Sequence, residues 1–546
     1  MNKYISKLFG VMFQNQQTQQ VIRVPLQQSP TSPEEWCEYW QAKGFPWRTE
    51  PEIDAKRQEE LSQCRIIVPD IEKGNYPFKG VKLNRADVEW LLATYENGRG
   101  PVDWSDESQR ERKGLDLRGA DLRQANLSKL PLTCMRGSLD HHSWREATED
   151  QRLMAYILLT DADLSYANLE KADLEGVHLT KVAFAGAQLV EVNFREAKFM
   201  SVDLSGAFLK KANLIDSQLK HVSLLGADLE NADLLRTKME KVDLRMARPA
   251  RVNLAGAHLE HVALVGAYLE DTTFVSAHLK NVELTFAQMK RSRFNGSHLE
   301  QVDLRWGQLE HADLSFAKLE NVDLRVAQLA DANLKKIVFS DEKHIGPRLA
   351  DAQWDGVNLT LVKWSQMKML GDEYTARQKK DIDGNAKSKS NRQEEYEEAV
   401  RANRQLAVAL QNQGLNEDAA RFAYHAQVLQ RKVLWKQHEF GKWFFSFMLA
   451  LLAGYGYRMW RILVAYLFVL LLCATAYFVL GMYSEPHLSV LEAVLTSITA
   501  FHGRVFSEPF LQPGEPQLWV TAFEAVAGLV IEGVFIAMLT QKFFGK

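Results

Sequence analysis

A five-residue repeat occupies the middle of this 546-residue chain. From Ala162 to Lys336 a small residue recurs at every fifth position, and Leu, Phe or Met follows two places later. The segment opens with ADLSYANLEKADLEG and closes with VDLRVAQLADANLKK. A period of five matches neither a helix, at 3.6 residues per turn, nor a flat strand, at two. It predicts a chain that turns one corner per pentad, so that four pentads close a coil of about 20 residues.

The positions of each pentad have different roles in such a coil. The large residue fills the centre, the small residue lets neighbouring walls approach, and the other three positions face water. Asp, Asn, Glu, Lys, Arg and Gln collect at those three positions. Backbone hydrogen bonds are expected to stack the coils at about 4.8 Å each. About nine coils would then give a rod about 40 Å long, stabilised mostly by contacts between neighbouring coils.

This A(D/N)LXX pattern resembles the pentapeptide-repeat family, whose fold is a right-handed quadrilateral β-helix. The main run is predicted to form such a β-helix over residues 159–366. Residues 114–130, which contain LDLRGADLRQANLSKL, fit the pattern as a first coil. Residues 131–158 separate the two and are predicted to be a helical insertion. Large residues that resume after a break near the end are predicted to form the final coil and cap, at Trp354, Leu359 and Trp364.

The segments on either side of the β-helix are expected to cover or extend it. Residues 1–113 have ordinary composition and are interpreted as a cap or docking region. Residues 367–393 are a charged linker, and residues 394–439 show helical spacing that resembles a single tetratricopeptide-like hairpin. One such unit cannot bury both of its faces alone. It is therefore expected to pack on the β-helix, on the membrane domain or on another subunit.

Two apolar runs near the C-terminus are long enough to cross a bilayer of about 30 Å. They cover residues 462–483 and 518–546. Basic residues precede the first and follow the second, so the positive-inside rule predicts that both termini lie in the cytoplasm. A reduced, cytosolic setting for the soluble part also fits the cysteines, which lack zinc-ligand or redox spacing: Cys37, Cys64, Cys134 and Cys473.

A short apolar helix is predicted between the two spans, within residues 484–517. Span, short helix, loop and span is the layout of a channel subunit, and the tail resembles the two-transmembrane potassium-channel-like (ion channel 2) domain family. The resemblance implies a re-entrant pore helix, a homotetramer and a two-span location in a bacterial inner membrane. It also implies pore and filter-like positions at Thr496, Ser497, Thr499, Ala500, Phe501, His502, Gly503, Arg504, Val505 and Phe506.

The filter itself departs from the family's TVGYG sequence. In the alignment that the resemblance suggests, Val505, Phe506 and Ser507 take the places of Gly-Tyr-Gly. Alternating glycines let backbone carbonyls point at the ion in conformations that other residues resist. Strict potassium selectivity is therefore not expected. The alternatives are a wider or differently lined pore, with Arg504 or His502 near its mouth, and a sealed pore.

Two carboxylates interrupt the second span. Glu524 and Glu532 are eight residues apart, which places them on one helix face. A charged residue at mid-membrane costs about 2.5–3.5 kcal/mol and usually faces a bundle interior or water. The functional interpretation is a ring of carboxylates that lines a cation pathway. The structural interpretation is a buried glutamate that pins helix to helix, with Gly528 and Gly533 allowing close packing.

The run GYGYR at residues 454–458 contains the Gly-Tyr-Gly of a potassium filter, but it precedes both spans. It follows KWFFSFMLALLA within residues 440–461, a stretch predicted to be an interfacial helix. Gly454 and Gly456 are therefore predicted to form the bend from this helix into the membrane. The neighbouring aromatic residues would then lie at headgroup level.

One outward column of the β-helix contains histidines at the coil period. His258, His278 and His298 should stack on one face, with His178 in the same column further away. A metal site or a pH-sensing ladder is one interpretation. The other is an ordinary solvated face, because Lys and Gln share the column.

These features lead to two hypotheses about function. The first is a channel-like, oligomeric membrane protein with a cytoplasmic pentapeptide-repeat rod and selectivity that is not strictly for potassium. The second is a membrane-anchored scaffold that binds a protein partner on the β-helix, with a non-conducting tail. An enzyme is not expected, because no nucleophile elbow, phosphate loop, metal cluster or cofactor motif is present. The formal net charge of −3 also gives no reason to expect nucleic-acid binding.

Overall fold

The computed structural model of the protein describes residues 30–339, 343–381, 384–456, 460–483, 487–504 and 516–544. Within these residues the chain forms a helical N-terminal region, a parallel β-solenoid, a helical hairpin and a C-terminal group of apolar helices. The predicted solenoid is therefore confirmed, together with a helical C-terminal region.

Four pentads close each coil, as the period predicts. On one wall, three-residue strands pair in parallel and in sequence order, with a register step of 20 residues that pairs His178 with Lys198. Parallel bridges with the same step form the other walls, and about seven turns separate the first and last strands. The strands are β1 His178–Thr180, β2 Lys198–Met200, β3 Gln218–Lys220, β4 Lys238–Glu240, β5 His258–Glu260, β6 His278–Lys280, β7 His298–Glu300 and β8 Lys318–Glu320.

The corners that do not directly follow a β-strand are tight turns that the pentad sequence favours. The backbone N–H of Ala167 donates to the carbonyl of Leu164 at 3.1 Å, and Tyr166 between them has a φ of 59°. A positive φ at the third position of such a turn is the signature of type II. The Asp163 carboxylate accepts from the N–H of Ser165 at 2.9 Å, and this side-chain turn recurs along the solenoid. The recurrent Asp or Asn of the repeat therefore starts the corner.

The small and large positions of the pentads form one continuous core. Leu164, Ala167 and their equivalents are essentially fully buried along the whole solenoid. Aromatic residues replace Leu at several levels, and the rings of Phe274 and Phe294 stack with their centroids 4.6 Å apart. Because each buried large side chain contributes about 1.5–3 kcal/mol, this column is the main source of stability.

The N-terminal region covers the first coil. The N–H of Leu83 donates to the carbonyl of Asp121 at 2.9 Å, which extends the backbone ladder beyond the repeat. Leu61, Val88 and Leu91 join the core of the solenoid, so the open end of that core is shielded from water. The helices of this region are α1 Pro33–Ala42, α2 Ala55–Arg65, α3 Arg85–Ala93 and α4 Tyr95–Gly98, followed by a 3-10 turn at Glu107–Gln109.

The insertion in the first coil is shorter than the predicted range of 131–158. Pro131 pairs with Asn168 and Arg136 with Asp173, so the coil continues to residue 136. The prediction was wrong there because PLTCMRG lacks Asp or Asn at the corners, although Leu132 and Met135 fill the buried positions. The helices of the insertion are α5 His141–Glu146 and α6 Glu149–Ala155.

A short helix and a buried carboxylate close the far end of the solenoid. The helix α7, Gly371–Arg377, lies within the segment predicted to be a linker. Its Asp372 is buried, and the carboxylate accepts hydrogen bonds from the N–H groups of Leu349, at 2.7 Å, and Ala350, at 3.3 Å. The backbone of this last coil pairs with the following stretch of chain only as far as Pro347 and Gly371, so the two N–H groups have no backbone acceptor among the described residues. Asp372 therefore takes the place of the missing backbone acceptor.

The helical hairpin packs on the end of the solenoid. Of the three locations expected from the sequence, which were the β-helix, the membrane domain and another subunit, the structure shows the first. Its helices are α8 Lys389–Asn412 and α9 Asn416–Lys436. The ring of Phe422 packs edge-on against Trp364, with centroids 6.2 Å apart. The side chain of Gln413 accepts from the N–H of Leu359 at 2.7 Å and donates to the carbonyl of Val357 at 2.6 Å. The hairpin therefore serves as the second layer of the cap.

Four further helices follow the hairpin: α10 Phe440–Ala453, α11 Trp460–Gly481, α12 Val490–Phe501 and α13 Pro516–Phe544. Of the described helices, α11 and the part of α13 from Pro516 to Thr540 are long and apolar enough to cross a membrane. This result is a weak indication of membrane association, because it rests on length and composition alone. Large apolar side chains on both helices are exposed, including Leu467, Phe468, Leu529 and Ile536.

Asp372→Ala is expected to loosen the final coil. Two backbone N–H groups lose their acceptor, at a cost of about 1–3 kcal/mol for each buried group that stays unpaired. Hydrogen exchange of the peptide that contains Leu349 and Ala350 should accelerate at least tenfold, while the exposed Asp355→Ala serves as the control. Unchanged exchange in Asp372→Ala would contradict the capping role.

The same residue predicts a pH dependence. Burial raises the pKa of Asp372 to about 6, above its ordinary value of 3.8. Because the folded state binds this proton more tightly than the unfolded state does, protonation of Asp372 stabilises the fold. This contribution to the free energy of unfolding is complete below about pH 4 and is lost as the pH rises through about 6. The melting temperature of the wild type should therefore fall, relative to that of Asp372→Asn, between pH 4 and pH 7. A constant difference across this range would show that the carboxyl does not titrate with folding.

Candidate functional site

The short helix α12 packs against both long apolar helices, α11 and α13. Its N-terminus is fixed by a capping box, in which the N–H of Glu492 donates to Ser489 Oγ and the Glu492 carboxylate accepts from the N–H of Ser489 at 2.8 Å. Twelve residues give a length of about 18 Å, which is too short to cross a bilayer. The three helices together form the candidate site.

A buried polar cluster joins these helices. Glu524 on α13 is fully buried, and the hydroxyl of Ser497 on α12 hydrogen-bonds its carboxylate. The same hydroxyl lies 3.0 Å from the carbonyl oxygen of Leu470 on α11. One turn earlier on α13, Thr521 accepts a hydrogen bond from the hydroxyl of Tyr477 at 3.0 Å. Because a buried carboxylate is costly unless it is hydrogen-bonded, these contacts fix the helices relative to one another.

The second carboxylate of α13 lies nearer the surface. Glu532 Oε1 is 2.5 Å from His502 Nδ1, and both side chains are almost half exposed. His502 is the residue that follows α12, and Tyr466 of α11 packs against the neighbouring Phe501 with ring centroids 4.7 Å apart. Both acidic residues of α13 therefore face α12, but Glu524 is buried whereas Glu532 is accessible to solvent.

Gly503 ends α12 in a Schellman motif. It has a φ of 70°, its N–H donates to the carbonyl of Ala500 at 2.9 Å, and the next N–H, of Arg504, donates to Thr499 at 2.8 Å. The left-handed conformation explains the glycine at this position. The sequence analysis placed Gly503 among filter-like residues, whereas the structure gives it the local role of stopping a helix.

Gly528 permits the closest approach between α12 and α13. A Cβ atom at this position would lie 2.0 Å from the carbonyl oxygen of Phe501. By contrast, a Cβ at Gly533 would have no neighbour within 4 Å among the described residues. Of the two glycines that the sequence analysis associated with close packing, only Gly528 therefore serves that purpose inside the subunit.

The remaining predicted pore positions are spread around α12. Ala500 and Phe501 are buried, Thr496 is half-buried, and Arg504 is exposed. The hydroxyl of Thr499 stays within the helix, 3.0 Å from the carbonyl oxygen of Leu495. Val505 and Phe506, the central filter-like positions, lie outside the described residues.

The predicted interfacial bend begins where α10 ends. Gly454 and Tyr455 both have a left-handed backbone, with φ of 52° and 57°, within the 3-10 segment Gly454–Gly456. The hydroxyls of Tyr455 and Ser446 are 2.9 Å apart, and Arg461 donates to the carbonyl of Ala450 at 2.9 Å. The side chain of Arg461 therefore ties the start of α11 to the last turn of α10.

The histidine column of the solenoid stacks as the period predicts. The rings of His258 and His278 are parallel, with centroids 4.9 Å apart, and His298 meets His278 edge-on at 5.8 Å. Burial and the two flanking imidazoles lower the pKa of His278. His298 Nε2 also lies 3.0 Å from the carboxylate of Glu320, so the histidine at this end of the column is hydrogen-bonded within the solenoid.

An exposed apolar ridge runs along one corner of the solenoid. Phe286 and Trp306 are 57% and 52% exposed, and their rings stack with centroids 5.9 Å apart. The half-buried Val326 follows at the same corner one coil later, and Met246 lies at this corner two coils before Phe286, with Gly266 between them; Met246, Phe286, Trp306 and Val326 are called the corner ridge. The ridge was not predicted, although its signal is present: large apolar residues occupy the last pentad position, which should face water, in the three successive coils of Phe286, Trp306 and Val326.

The repeat segment also matches a known family. Residues between 157 and 341 match the family described as pentapeptide repeats, in eight copies, so this part of the chain is a pentapeptide-repeat solenoid. No match was found among curated proteins. The matched ranges are 157–195, 178–216, 197–234, 212–248, 253–285, 287–325 and 308–341.

Solved structures of pentapeptide-repeat proteins are similar to part of the chain. HetL, involved in heterocyst differentiation regulation in Nostoc sp. strain PCC 7120, is 23% identical, with 50% of this chain and 95% of HetL covered and a TM-score of 0.27. Rfr23 from Cyanothece 51142 is 27% identical, over 30% of this chain and 89% of that one, with a TM-score of 0.14. A thylakoid-lumen protein from Arabidopsis thaliana is 24% identical, over 17% and 61%, with a TM-score of 0.14.

Gly528→Ala is expected to push α12 away from α13, because the added methyl group meets a backbone carbonyl that cannot rotate away. Overpacking of this kind costs about 1–3 kcal/mol. The melting temperature of the full chain in detergent should fall, while the matched variant Gly533→Ala should stay within about 0.5 kcal/mol of the wild type. Equal stability of the two variants would contradict the close packing described above.

Proposed function

We propose that the protein is a membrane-anchored scaffold whose pentapeptide-repeat solenoid binds a protein partner at the corner ridge. The observation that carries the proposal is the stacked, exposed pair of Phe286 and Trp306. Aromatic side chains that stack on each other while exposed to water are typical of binding sites, and Trp is enriched among residues that dominate interface energies. The rigid solenoid holds them in fixed register, so binding would require little loss of conformational entropy.

The anchor in this proposal is the pair of helices α11 and α13. Their outward faces carry large exposed apolar residues, while the hydrogen-bonded cluster of Ser497 and Glu524 is enclosed within one subunit. One carboxylate oxygen of Glu524 accepts a hydrogen bond from Ser497, whereas its buried Oε2 has no hydrogen-bond partner among the described residues. In this proposal the enclosed carboxyl holds the helices together and does not line a pore. The hairpin and α10 then connect the anchor to the solenoid, which lies on the cytoplasmic side in this proposal.

A photo-crosslinking amino acid in place of Trp306 tests the partner site in the native membrane. It is expected to give an adduct with one specific protein. The same amino acid in place of Phe316 is the control, because Phe316 is 54% exposed but lies at the diagonally opposite corner. Phe286→Ser with Trp306→Ser should weaken retention of that partner at least tenfold, since the anchors of an interface commonly contribute 2 kcal/mol or more. Equal labelling at the two corners would overturn the assignment.

A second candidate function is ion conduction by an oligomer of the three-helix unit. It is favoured by a short helix that packs between two long ones and by the half-exposed pair of His502 and Glu532 at its end. In this alternative Glu532 attracts cations to a pathway between subunits, and the hydrogen bond to His502 holds its carboxylate in place.

Recording from the purified full chain in planar bilayers under bi-ionic conditions tests conduction. If Glu532 lines the pathway, Glu532→Gln should lower cation over anion permeability several-fold, because the fixed negative charge is lost. The matched control is Glu439→Gln, a residue that precedes α10 and pairs with Lys442 at 2.8 Å. The absence of current, or identical selectivity in Glu532→Gln, would leave the scaffold as the function.

A further inference from the structure

A basic pocket lies where the hairpin meets α10. It has a volume of about 230 Å³ and is lined by Tyr396 of α8, by Trp443 of α10 and by side chains of α9. The residues from α9 are Arg431, Lys432, Trp435 and Lys436. Three cations therefore converge on a small space that aromatic rings enclose.

Among the described residues, the three cations in this pocket form no direct ion pair. Lys436 Nζ is buried without a hydrogen-bond partner among the described residues and lies 4.4 Å from the ring centroid of Tyr396. Lys432 Nζ lies 5.5 Å from the same centroid, so both ammonium groups contact the ring of Tyr396. Arg431 faces the ring of Phe447 at 5.9 Å. Such cation–π contacts contribute only about 0.5–2 kcal/mol and do not neutralise charge.

The nearby carboxylates form their direct contacts with other groups, and Glu373 and Glu395 act on Lys432 and Lys436 only through longer-range attraction. Glu395 pairs with Lys387 at 2.8 Å, and Glu397 accepts from the side chain of Gln437 at 3.0 Å. Glu373 pairs with both Arg377 and His425. Two further arginines, Arg377 and Arg392, add positive charge around the pocket.

The local electrostatics reflect this imbalance. Burial lowers the pKa of Lys432, and the neighbouring Arg377 lowers it further. Burial also lowers the pKa of Lys436, with Arg392 as the nearest positive neighbour. An anion in the pocket would reverse these effects, because it would favour the charged form of both ammonium groups.

The surroundings of the pocket indicate where such an anion comes from. The rings of Trp435 and Trp443 contact each other at its edge, with centroids 5.0 Å apart and planes tilted by 57°, and exposed aromatic residues continue along α10. Phe444 and Phe445 are 56% and 73% exposed on this helix, which precedes the first apolar span. Basic side chains beside an apolar, aromatic helix face are the arrangement that binds the interface of an anionic membrane.

We propose that this pocket binds the phosphate of an anionic phospholipid headgroup while the aromatic face of α10 lies among the upper acyl chains. The proposal rests on the membrane anchoring in the proposed function. It assigns to the hairpin a second role beyond capping the solenoid: the lipid holds α9 and α10 together at the membrane surface. Because the hairpin packs on the last coil, the lipid would also orient the solenoid relative to the membrane.

Binding of labelled lipid to the full-length protein in non-ionic detergent tests the proposal. Energy transfer from tryptophan to dansyl-labelled phosphatidylglycerol should saturate at a concentration about tenfold lower than for dansyl-labelled phosphatidylcholine. The double variant Lys432→Gln with Lys436→Gln should bind phosphatidylglycerol about tenfold more weakly than the wild type. The reason is that each basic residue near a membrane surface strengthens binding of anionic lipid several-fold. The control removes two exposed lysines on the last coil, Lys363→Gln with Lys368→Gln.

Three results would overturn the lipid site: equal binding of the two lipids, unchanged affinity in the double variant, or displacement of the lipid by inorganic phosphate at equal concentration. The last result would identify a site for free phosphate. Carbonate extraction of the wild-type protein from membranes distinguishes an incorrect lipid pocket from an incorrect membrane anchor. A protein that stays in the membrane pellet without lipid preference contradicts only the pocket, whereas release into the supernatant contradicts the anchoring itself.

Discussion

The backbone hydrogen bonds between successive coils are the constraint on which the rest of the structure depends. They fix the register at 20 residues, so every side chain stacks on its equivalent in the next coil. The same bonds hold a left-handed residue at each corner, such as Tyr166 and Trp306, although that conformation is costly for residues other than glycine. The strain is tolerated because the ladder on both sides and the buried Leu column over-determine the corner.

A regular ladder also creates the problem that the flanking segments solve. An open coil end presents unpaired N–H and C=O groups and an exposed core to other chains. At the N-terminal end Leu83 extends the ladder, and at the C-terminal end the Asp372 carboxylate accepts from the last N–H groups. The hairpin then covers the core with Phe422. The cap is therefore the mechanical link between the solenoid and the apolar helices, so the position of one restrains the other.

Charge and apolarity are distributed along this link in a way that suits a membrane surface. The solenoid carries many ion pairs within and between coils, such as that of Arg291 with Asp271. Exposed pairs of this kind add little stability, but they balance opposite charges on the surface. The pocket formed by α9 and α10 is different, since its lysines form no direct ion pair with a carboxylate in the part of the chain that the structure describes. In the proposed scaffold, the pocket formed by α9 and α10 binds the membrane and the corner ridge of the solenoid binds the protein partner.

Much of the fold followed from local pattern. The period of five gave the coil, the buried positions and the histidine stack, because in a solenoid each residue's environment is set by its place in the repeat. The two apolar helices followed from length and composition. The predicted insertion was too long because Pro131 to Arg136 fill buried positions without the corner residues that mark the repeat. The pairing of Glu532 with His502, 30 residues away, could not be predicted from either segment alone.

The sequence by itself therefore determined the solenoid, its polar and apolar positions and the existence of the apolar tail. Only the tertiary structure decided that the hairpin caps the solenoid, that Glu524 is enclosed by Ser497, and that Gly503 stops a helix. It also decided that Lys432 and Lys436 converge on Tyr396. The physical reason is the range of the interactions. Periodic burial and backbone turns act over a few residues, whereas a buried carboxylate or a basic pocket depends on which distant helix packs against it.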